Sequence, residues 1–573
     1  MDKIQEQIDD MYLRGEPSRH ELDYKLPIEY VEHASLSMVI REDLELGSKA
    51  PLYRHFFTEN STLMSKWCSL YTTDTSFLKQ SQKCIKRYTS QPYDCSLFKT
   101  SYQEFIQETN FIDKYQFIGF KLLANLNSSS SFLHCLSIYN LTSPIFSLLS
   151  PLVMLLLPFM LLKLQNIPIS ISSYIGHLKN LFKNTSVYQL FFNFTSVSFQ
   201  NRISALFSLF IYLLQVYNNV ISCCSFYRNI TKIYTFLMDY KMHLKQSIQL
   251  LDRVAQNINA YSKYSGFLEE TYRQKSNIVT MLEKINEIKE CDSIVQKIGQ
   301  IGGMMNLYYQ FFMNSEHHDA ISYTFFIHEY NQDILSLQKH VKDHRLSPCK
   351  FKKKTSMKGL YYLNHIQDAM IRNDVDLENN LIVSGPNASG KTTILKSVFL
   401  NVIMSQQFGY GCYEKASIRC YDTFHSYLNI PDTSGRDSLF QAEARRCKDI
   451  LDSITDQPEK RHLCIFDEIY SGTNPKDAVS CAKLYLNGLN LYKKKVDYMI
   501  TTHYIELCEH FKDTKCICNK KMNVKECEEK IEYSYKIVDG ISYVNGGTFI
   551  LKEMNYPTYL YESVQNDLEK YSK

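Results

Sequence analysis

Apolar residues along this chain change their spacing several times, and each change predicts a different kind of element. From Tyr30 to about Tyr88 they recur at helical intervals: Leu52, Tyr53 and Phe56, then Leu63, Trp67 and Leu70, then Phe77, Leu78 and Ile85. Several short helices are expected there. Phe98 to Leu126 predicts one longer helix, its apolar face supplied by Tyr102, Phe105, Ile106, Phe111 and Phe117. From Tyr234 to about Asp343 the period is that of long amphipathic helices. One arm starts with Leu237, Met242, Leu244, Ile248 and Leu251, another with Ile278, Met281, Leu282, Ile285 and Ile288, and Gly302–Gly303 is expected to break the run. After a polar, basic linker from His344 to Gly359, strand-like and helix-like stretches alternate to the end. The pattern therefore predicts an α + α/β chain, with a helical region at 1–95, a helical lever or arm region at 96–350 and an α/β domain at 351–573.

The middle of the chain has a different character. No Asp, Glu, Lys or Arg occurs between Lys121 and Lys163, and the run IFSLLSPLVMLLLPFMLLKL (145–164) closes that gap. Twenty helical residues rise about 30 Å, the thickness of bilayer hydrocarbon. A second uncharged run extends from Ile203 to Tyr227, with its apolar part at 203–222. Pro144, Pro151 and Pro158 would break a helix in water but are tolerated in a membrane span. Two readings stay open: a membrane hairpin, or a hairpin buried in a helical bundle, which the Asn and Ser content of the second run favours. A membrane hairpin keeps both ends, and so the α/β domain and the preceding helices, on one side. The flanking cations (Lys163, Lys179, Lys183 and Arg202 against Lys121, Arg228 and Lys232) do not set an orientation. The expected location is intracellular and membrane-associated, with the α/β domain in the cytosol.

Length and charge narrow this only a little. The 573 residues suffice for two to four domains. A net charge of +4, from 64 basic and 60 acidic residues, neither demands nor excludes nucleic acid. Lys350 and Lys352 to Lys354 in the linker fit a solvated face or a phosphate contact. Seventeen Cys without framework spacing, behind an N-terminus that does not read as a signal peptide, point to a reducing compartment.

The chemistry is concentrated at 381–393, LIVSGPNASGKTT. Leu381 to Ser384 read as a buried strand, and an apolar helical pattern (Ile394, Leu395, Val398, Phe399, Val402) begins after Thr392. Between them, Gly385-Pro386-Asn387-Ala388-Ser389-Gly390-Lys391-Thr392, followed by Thr393, has the spacing of a phosphate-binding loop. The glycines let successive N–H groups converge on one anion, and the helix aims its positive end at the same point. Lys391 would reach the β- and γ-phosphates of ATP, and the Thr392 hydroxyl would ligate Mg²⁺. LCIFDE (463–468) predicts a second buried strand ending in two carboxylates. Asp467 is suited to hold Mg²⁺ through water and Glu468 to polarise the attacking water. YMITTHY (498–504) predicts a third strand, after which His503 either senses the γ-phosphate or is structural.

These segments, with FGYGCYEKA (408–416), IPDTSGRDSLFQAE (430–443) and IYSGTNPKD (469–477), resemble the ATPase domain of the MutS mismatch-repair family in order and spacing. NDV (373–375) resembles the family's segment ahead of the loop, and YKIVDGIS with Gly546, Tyr556 and Pro557 its C-terminal strand and helix. LYRHFFTENSTLMSKWCSLY (52–71) is weakly similar to the opening of its helical core. The resemblance implies a P-loop, ABC-type ATPase that works as a head-to-head homodimer or family heterodimer on double-stranded, mismatched DNA. In that dimer Ser438, with Gly435 and Phe440 beside it, would contact the γ-phosphate held by the partner subunit. Some features depart from the family. No room is left before Tyr30 for a mismatch-reading domain with its Phe-x-Glu wedge, and Phe267-Leu268-Glu269 has those letters only within a long-helix pattern. Lys521 stands where many members carry a His near the adenine, and Cys508, Cys516, Cys518 and Cys527 lack the CxxC spacing of a zinc site. The rival expectation is a membrane-anchored mechanical ATPase without DNA recognition.

Overall fold

Aromatic side chains organise the first of the two units into which the chain divides, Tyr93–Gln249 with Gln274–Phe325. The structure is a computed structural model that describes residues 24–46, 53–57, 63–165, 170–183, 199–291, 293–362, 370–428, 438–526 and 531–544. Leu52, Gly435, Cys527, Gly546, Tyr556 and Pro557 lie outside the described residues. In the first unit Phe111 stacks face to face on Phe312 at 3.7 Å, Phe105 lies 4.5 Å from Phe236, and Tyr240 stacks on Phe311 at 4.8 Å. Such pairs add to the area the rings bury. The single helix expected over Phe98–Leu126 is instead three pieces: Ser96–Ile106, Phe111–Lys114 and a 3₁₀ segment at Lys121–Ser128. Asn110, at the N-cap of the second piece, and Gln116, just beyond its end, take left-handed backbone (φ +56° and +58°), through which a right-handed helix does not continue. The break expected at Gly302–Gly303 falls at Gln300, and both glycines sit in the first turn of the next helix, Ile301–Met313. Gly302 has a packing reason, because a Cβ there would lie 2.2 Å from the Ser130 carbonyl oxygen.

The two uncharged runs lie in helices α1 (Ser130–Leu164) and α2 (Phe199–Ile258), and α1 runs unbroken through Pro144, Pro151 and Pro158. Both helices are long and apolar enough to cross a membrane by length and composition. The second run and the arm expected after Tyr234 prove to be one helix. Its character changes along its length: Leu206, Phe207, Phe210 and Leu214 are exposed, whereas Ile233, Leu237 and Leu244 are fully buried.

The second unit gathers Asp23–Pro92, Leu250–Arg273 and Phe326–Lys573. Its main sheet has β1 (Asn380–Ser384), β2 (Thr423–Tyr427), β3 (His462–Asp467), β4 (Val496–Thr502), β5 (Ile517–Glu526) and β6 (Ile531–Asp539), in the order β6-β5-β1-β4-β3-β2. All pairings are parallel except β5 with β6. A central parallel strand is covered on both faces, and β1 is accordingly buried at every position. Helix α3 (Lys391–Phe408) follows β1 and is buried from Ser397 to Phe408, so it shows little amphipathic bias. A five-stranded sheet flanks it, and NDV lies on that sheet's edge strand, Asn373–Asp376.

The C-terminal end of α3 meets residues from early in the chain. Trp67 packs at 5.1 Å on Phe408 and stacks on Tyr330, and its ring N–H donates to buried Asp333 at 3.2 Å. Gln407 donates to the Trp67 carbonyl and accepts from the Tyr53 hydroxyl, both at 2.7 Å, which pairs a buried amide that would otherwise be costly. Phe267 is fully buried against Tyr330 and Phe326 in helix Ser265–Asn286, so its Phe-x-Glu letters belong to the core of this unit.

Candidate functional site

Three strand ends come together in the second unit. The registers Ser384–Thr502 and Asp467–Thr501 put the carboxyl ends of β1, β4 and β3 side by side. In an open parallel sheet this edge is where ligands bind. Between β1 and α3 the loop from Gly385 to Gly390 turns tightly, with Ala388 at φ +62° and Gly390 at φ +93°. A Cβ on Gly385 would sit 2.9 Å from Ser389 Oγ, so the tight curl needs glycine there. Ser389 Oγ is itself buried and, among the described residues, has no hydrogen-bond partner.

Lys391 is 5% exposed and points back into this curl. Its ammonium donates to the carbonyls of Gly385 (2.8 Å) and Pro386 (3.2 Å) and to Asn387 Oδ1 (3.4 Å), and it pairs with Glu468 at 3.1 Å. Thr392 Oγ1 donates to Asp467 Oδ2 at 2.8 Å, and Thr501 donates to the other Asp467 oxygen. One residue on, Glu468 takes left-handed backbone (φ +48°), a costly conformation for a non-glycine residue. Its N–H is held by the Thr501 carbonyl at 3.2 Å. The Glu468 carboxylate faces His503 Nδ1 at 3.5 Å as well as Lys391. The hydrogen bond to His503, followed by the charge of Lys391, outweighs partial burial and lowers its pKa to about 2.

Residues 386–394, Asp467 and Glu468 line one cavity of about 700 Å³. The sequence-predicted residues of the loop and of β3 are thus in one place, with His503 touching them through Glu468. Ser438 is elsewhere. It caps the N-terminus of α4 (Leu439–Asp456), accepting from Gln441 N at 3.3 Å while the Gln441 carboxamide accepts from its own N–H at 3.0 Å. The far wall of the cavity was missed in the sequence: Leu360, Tyr361, Tyr362, Ile371 and Tyr535 supply its apolar and aromatic surface. Nothing in their local spacing marks them, because Tyr362 and Tyr535 are brought together only by the fold. Lys521 lies on β5 opposite Val538, and the aromatic surface comes from Tyr535 on β6.

The C-terminal part of the chain is similar to known proteins. Residues 381–571 match the family model described as MutS domain V. The DNA mismatch repair protein MutS of Bacteroides fragilis (strain YCH46) is 31% identical over 198 residues, which are 34% of this chain and 22% of that protein. The protein of the same name from Flavobacterium johnsoniae is 29% identical over 208 residues (35% and 24%), and that of Thermotoga petrophila 28% over 204 residues (35% and 25%). The chain thus spans about a quarter of the length of these curated relatives. Over residues 381–571 its C-terminal α/β domain is therefore similar to MutS domain V, and the likeness is confined to that third of the chain.

Proposed function

We propose that the second unit binds and hydrolyses ATP and that two such units close on nucleotide as a dimer. The observation that carries this reading is the meeting of Lys391, Thr392, Asp467 and Glu468 at the mouth of one glycine-turned loop. The loop N–H groups and the unpartnered Ser389 hydroxyl would hold phosphate oxygens, and Lys391 would leave the loop carbonyls for the β- and γ-phosphates. Thr392 and Asp467 present hard oxygen donors next to each other, a set that fits Mg²⁺. When bound, Mg²⁺ neutralises charge on the phosphates. Glu468 takes the proton of the attacking water, and His503 holds that carboxylate in place. Tyr362, Ile371 and Tyr535 offer a surface for the base. Ser438 would meet the γ-phosphate held by the partner subunit.

The printed names of the relatives concern DNA mismatch repair, and we extend to this chain a clamp on double-stranded DNA gated by nucleotide. Electrophoretic shifts of homoduplex and heteroduplex DNA, with and without ATP, test the extension. Retarded heteroduplex is expected; if neither duplex shifts at low salt, DNA binding is lost and the ATPase reading stands alone.

A second reading, membrane attachment, is favoured by the internal chemistry of α1 and α2. Along residues 206–225 of α2 the less exposed positions are Leu209, Tyr212, Val216, Asn219 and Cys223, a 3-4 spaced seam, while the rest of the surface is open. That seam faces α1. The Tyr212 hydroxyl donates to the Ser147 carbonyl (3.3 Å), Asn219 to the Ser147 hydroxyl, and Cys223 Sγ to the Leu141 carbonyl (3.2 Å). Two of the three prolines are also compensated. Pro144 and Pro151 remove the N–H groups that Asn140 and Ser147 carbonyls would accept, and the preceding Ser143 and Ser150 hydroxyls donate to those same carbonyls, each at 2.9 Å. Apolar side chains therefore face outward while Tyr212, Asn219, Cys223, Ser143 and Ser150 bond within the pair, as hydrocarbon requires and a water-exposed surface does not. Carbonate extraction of the expressed chain should leave it in the membrane pellet. Release into the supernatant would make the pair a surface for protein contact instead.

A further inference from the structure

Behind the candidate catalytic carboxylates lies a buried acid that the reaction itself does not use. Glu443 is 2% exposed on α4. Its Oε1 accepts from the Ser471 N–H (3.1 Å) and hydroxyl (3.0 Å), and its Oε2 accepts from the Gly472 N–H (3.1 Å). These donors belong to the loop that leaves β3 directly after Asp467 and Glu468. That loop is held in a costly shape, with Glu468 and Tyr470 both left-handed (φ +48° and +59°). Further contacts fix it to the same helix: Phe440 lies 5.9 Å from the Tyr470 ring, and a Cβ on Gly472 would meet Leu439 Cγ at 2.7 Å. Five residues before Glu443, about 7.5 Å along the helix, stands the cap Ser438.

We propose that Glu443 is a positioning residue that joins the start of α4 to the backbone carrying Glu468, so that contact of Ser438 with the partner subunit's nucleotide sets the geometry of the base in its own site. The inference rests on the dimeric ATPase reading above. A fully buried carboxylate holding three donors transmits displacement because each lost bond leaves an uncompensated buried group. The two ATP sites of a dimer would then be coupled through two short rigid links, one in each subunit.

The test compares Glu443→Gln and Gly472→Ala with the unaltered full chain. In Glu443→Gln an amide N–H opposes one of the backbone donors. In Gly472→Ala the carboxylate stays and the new methyl group pushes the loop from Leu439. Both should lower kcat by about 5- to 150-fold, the usual range of coupling between sites. Binding of a fluorescent ATP analogue should stay within about twofold and the far-UV spectrum should be unchanged. Unchanged kcat in both variants overturns the inference, as does a loss of nucleotide affinity in step with kcat, which would mark general damage. Turnover by the unaltered chain that Glu468→Gln abolishes is read first, since its absence sinks the ATPase reading itself.

Discussion

Replacing Glu468 by Gln should leave ATP binding and ATP-dependent association in place while cutting turnover by about 10²- to 10⁴-fold, the usual worth of a positioned base. The substitution is nearly isosteric, so the loop, Lys391 and the Thr392–Asp467 pair keep their places. Only the group that accepts the water proton is lost. In the arrangement seen here the carboxylate is a weak base, because His503 and Lys391 hold its pKa down at about 2, from an ordinary 4.5. Nucleotide would draw the Lys391 ammonium from Glu468 to the phosphates, raise the carboxylate and strengthen it as a base when the water needs it. The nucleotide-free protein carries a matching pH signature. A depressed carboxylate stabilises the fold above its unfolded pKa, and that contribution is lost as pH falls through the folded value. The difference in Tm between the unaltered chain and Glu468→Gln should therefore be flat from pH 5 to 8 and shrink from about pH 4.5 towards 2. Unchanged hydrolysis in the variant would mean that Glu468 is not the base.

How much of this is visible in the sequence depends on the distance along the chain over which each feature is built. Gly385 to Thr393 stand out because strand, turn and helix are consecutive and each residue type has a local backbone task. Asp467 and Glu468 stand out because two carboxylates close an apolar strand. Tyr362 and Tyr535 are silent, since they converge across more than 170 positions with no periodicity to link them. Glu443 lies inside a segment that the family resemblance does pick out, yet its partners Ser471 and Gly472 become apparent only when α4 is packed beside β3. The Phe98–Leu126 stretch fails for the opposite reason. Its apolar spacing fits one helix, but Asn110 and Gln116 turn left-handed and the aromatic core accepts three short pieces. The two greasy runs are legible as membrane-length helices, whereas the pairing of Ser143 and Ser150 with the carbonyls orphaned by Pro144 and Pro151 shows only in the folded helix.

Lys391→Ala should have the other large effect, on binding rather than on the chemical step. The Lys391 ammonium is buried, so its loss removes the one full positive charge that this loop can bring to the phosphates. It also leaves Glu468 facing the incoming triphosphate without its 3.1 Å partner. Attraction is lost and like-charge repulsion is gained at the same point. A fall in ATP affinity of about 100-fold or more is expected, equivalent to roughly 2.7 kcal/mol. Association driven by ATP should fall with it, because a ligand shared by two subunits stabilises their contact only as far as it is bound. Sedimentation velocity with and without ATP and Mg²⁺ separates this from the first variant: Glu468→Gln should accumulate the closed dimer, and Lys391→Ala should show none. Triphosphate affinity and self-association that survive in Lys391→Ala would remove the loop from the nucleotide site. The Thr392–Asp467 pair and the shape of the cavity would then need another ligand.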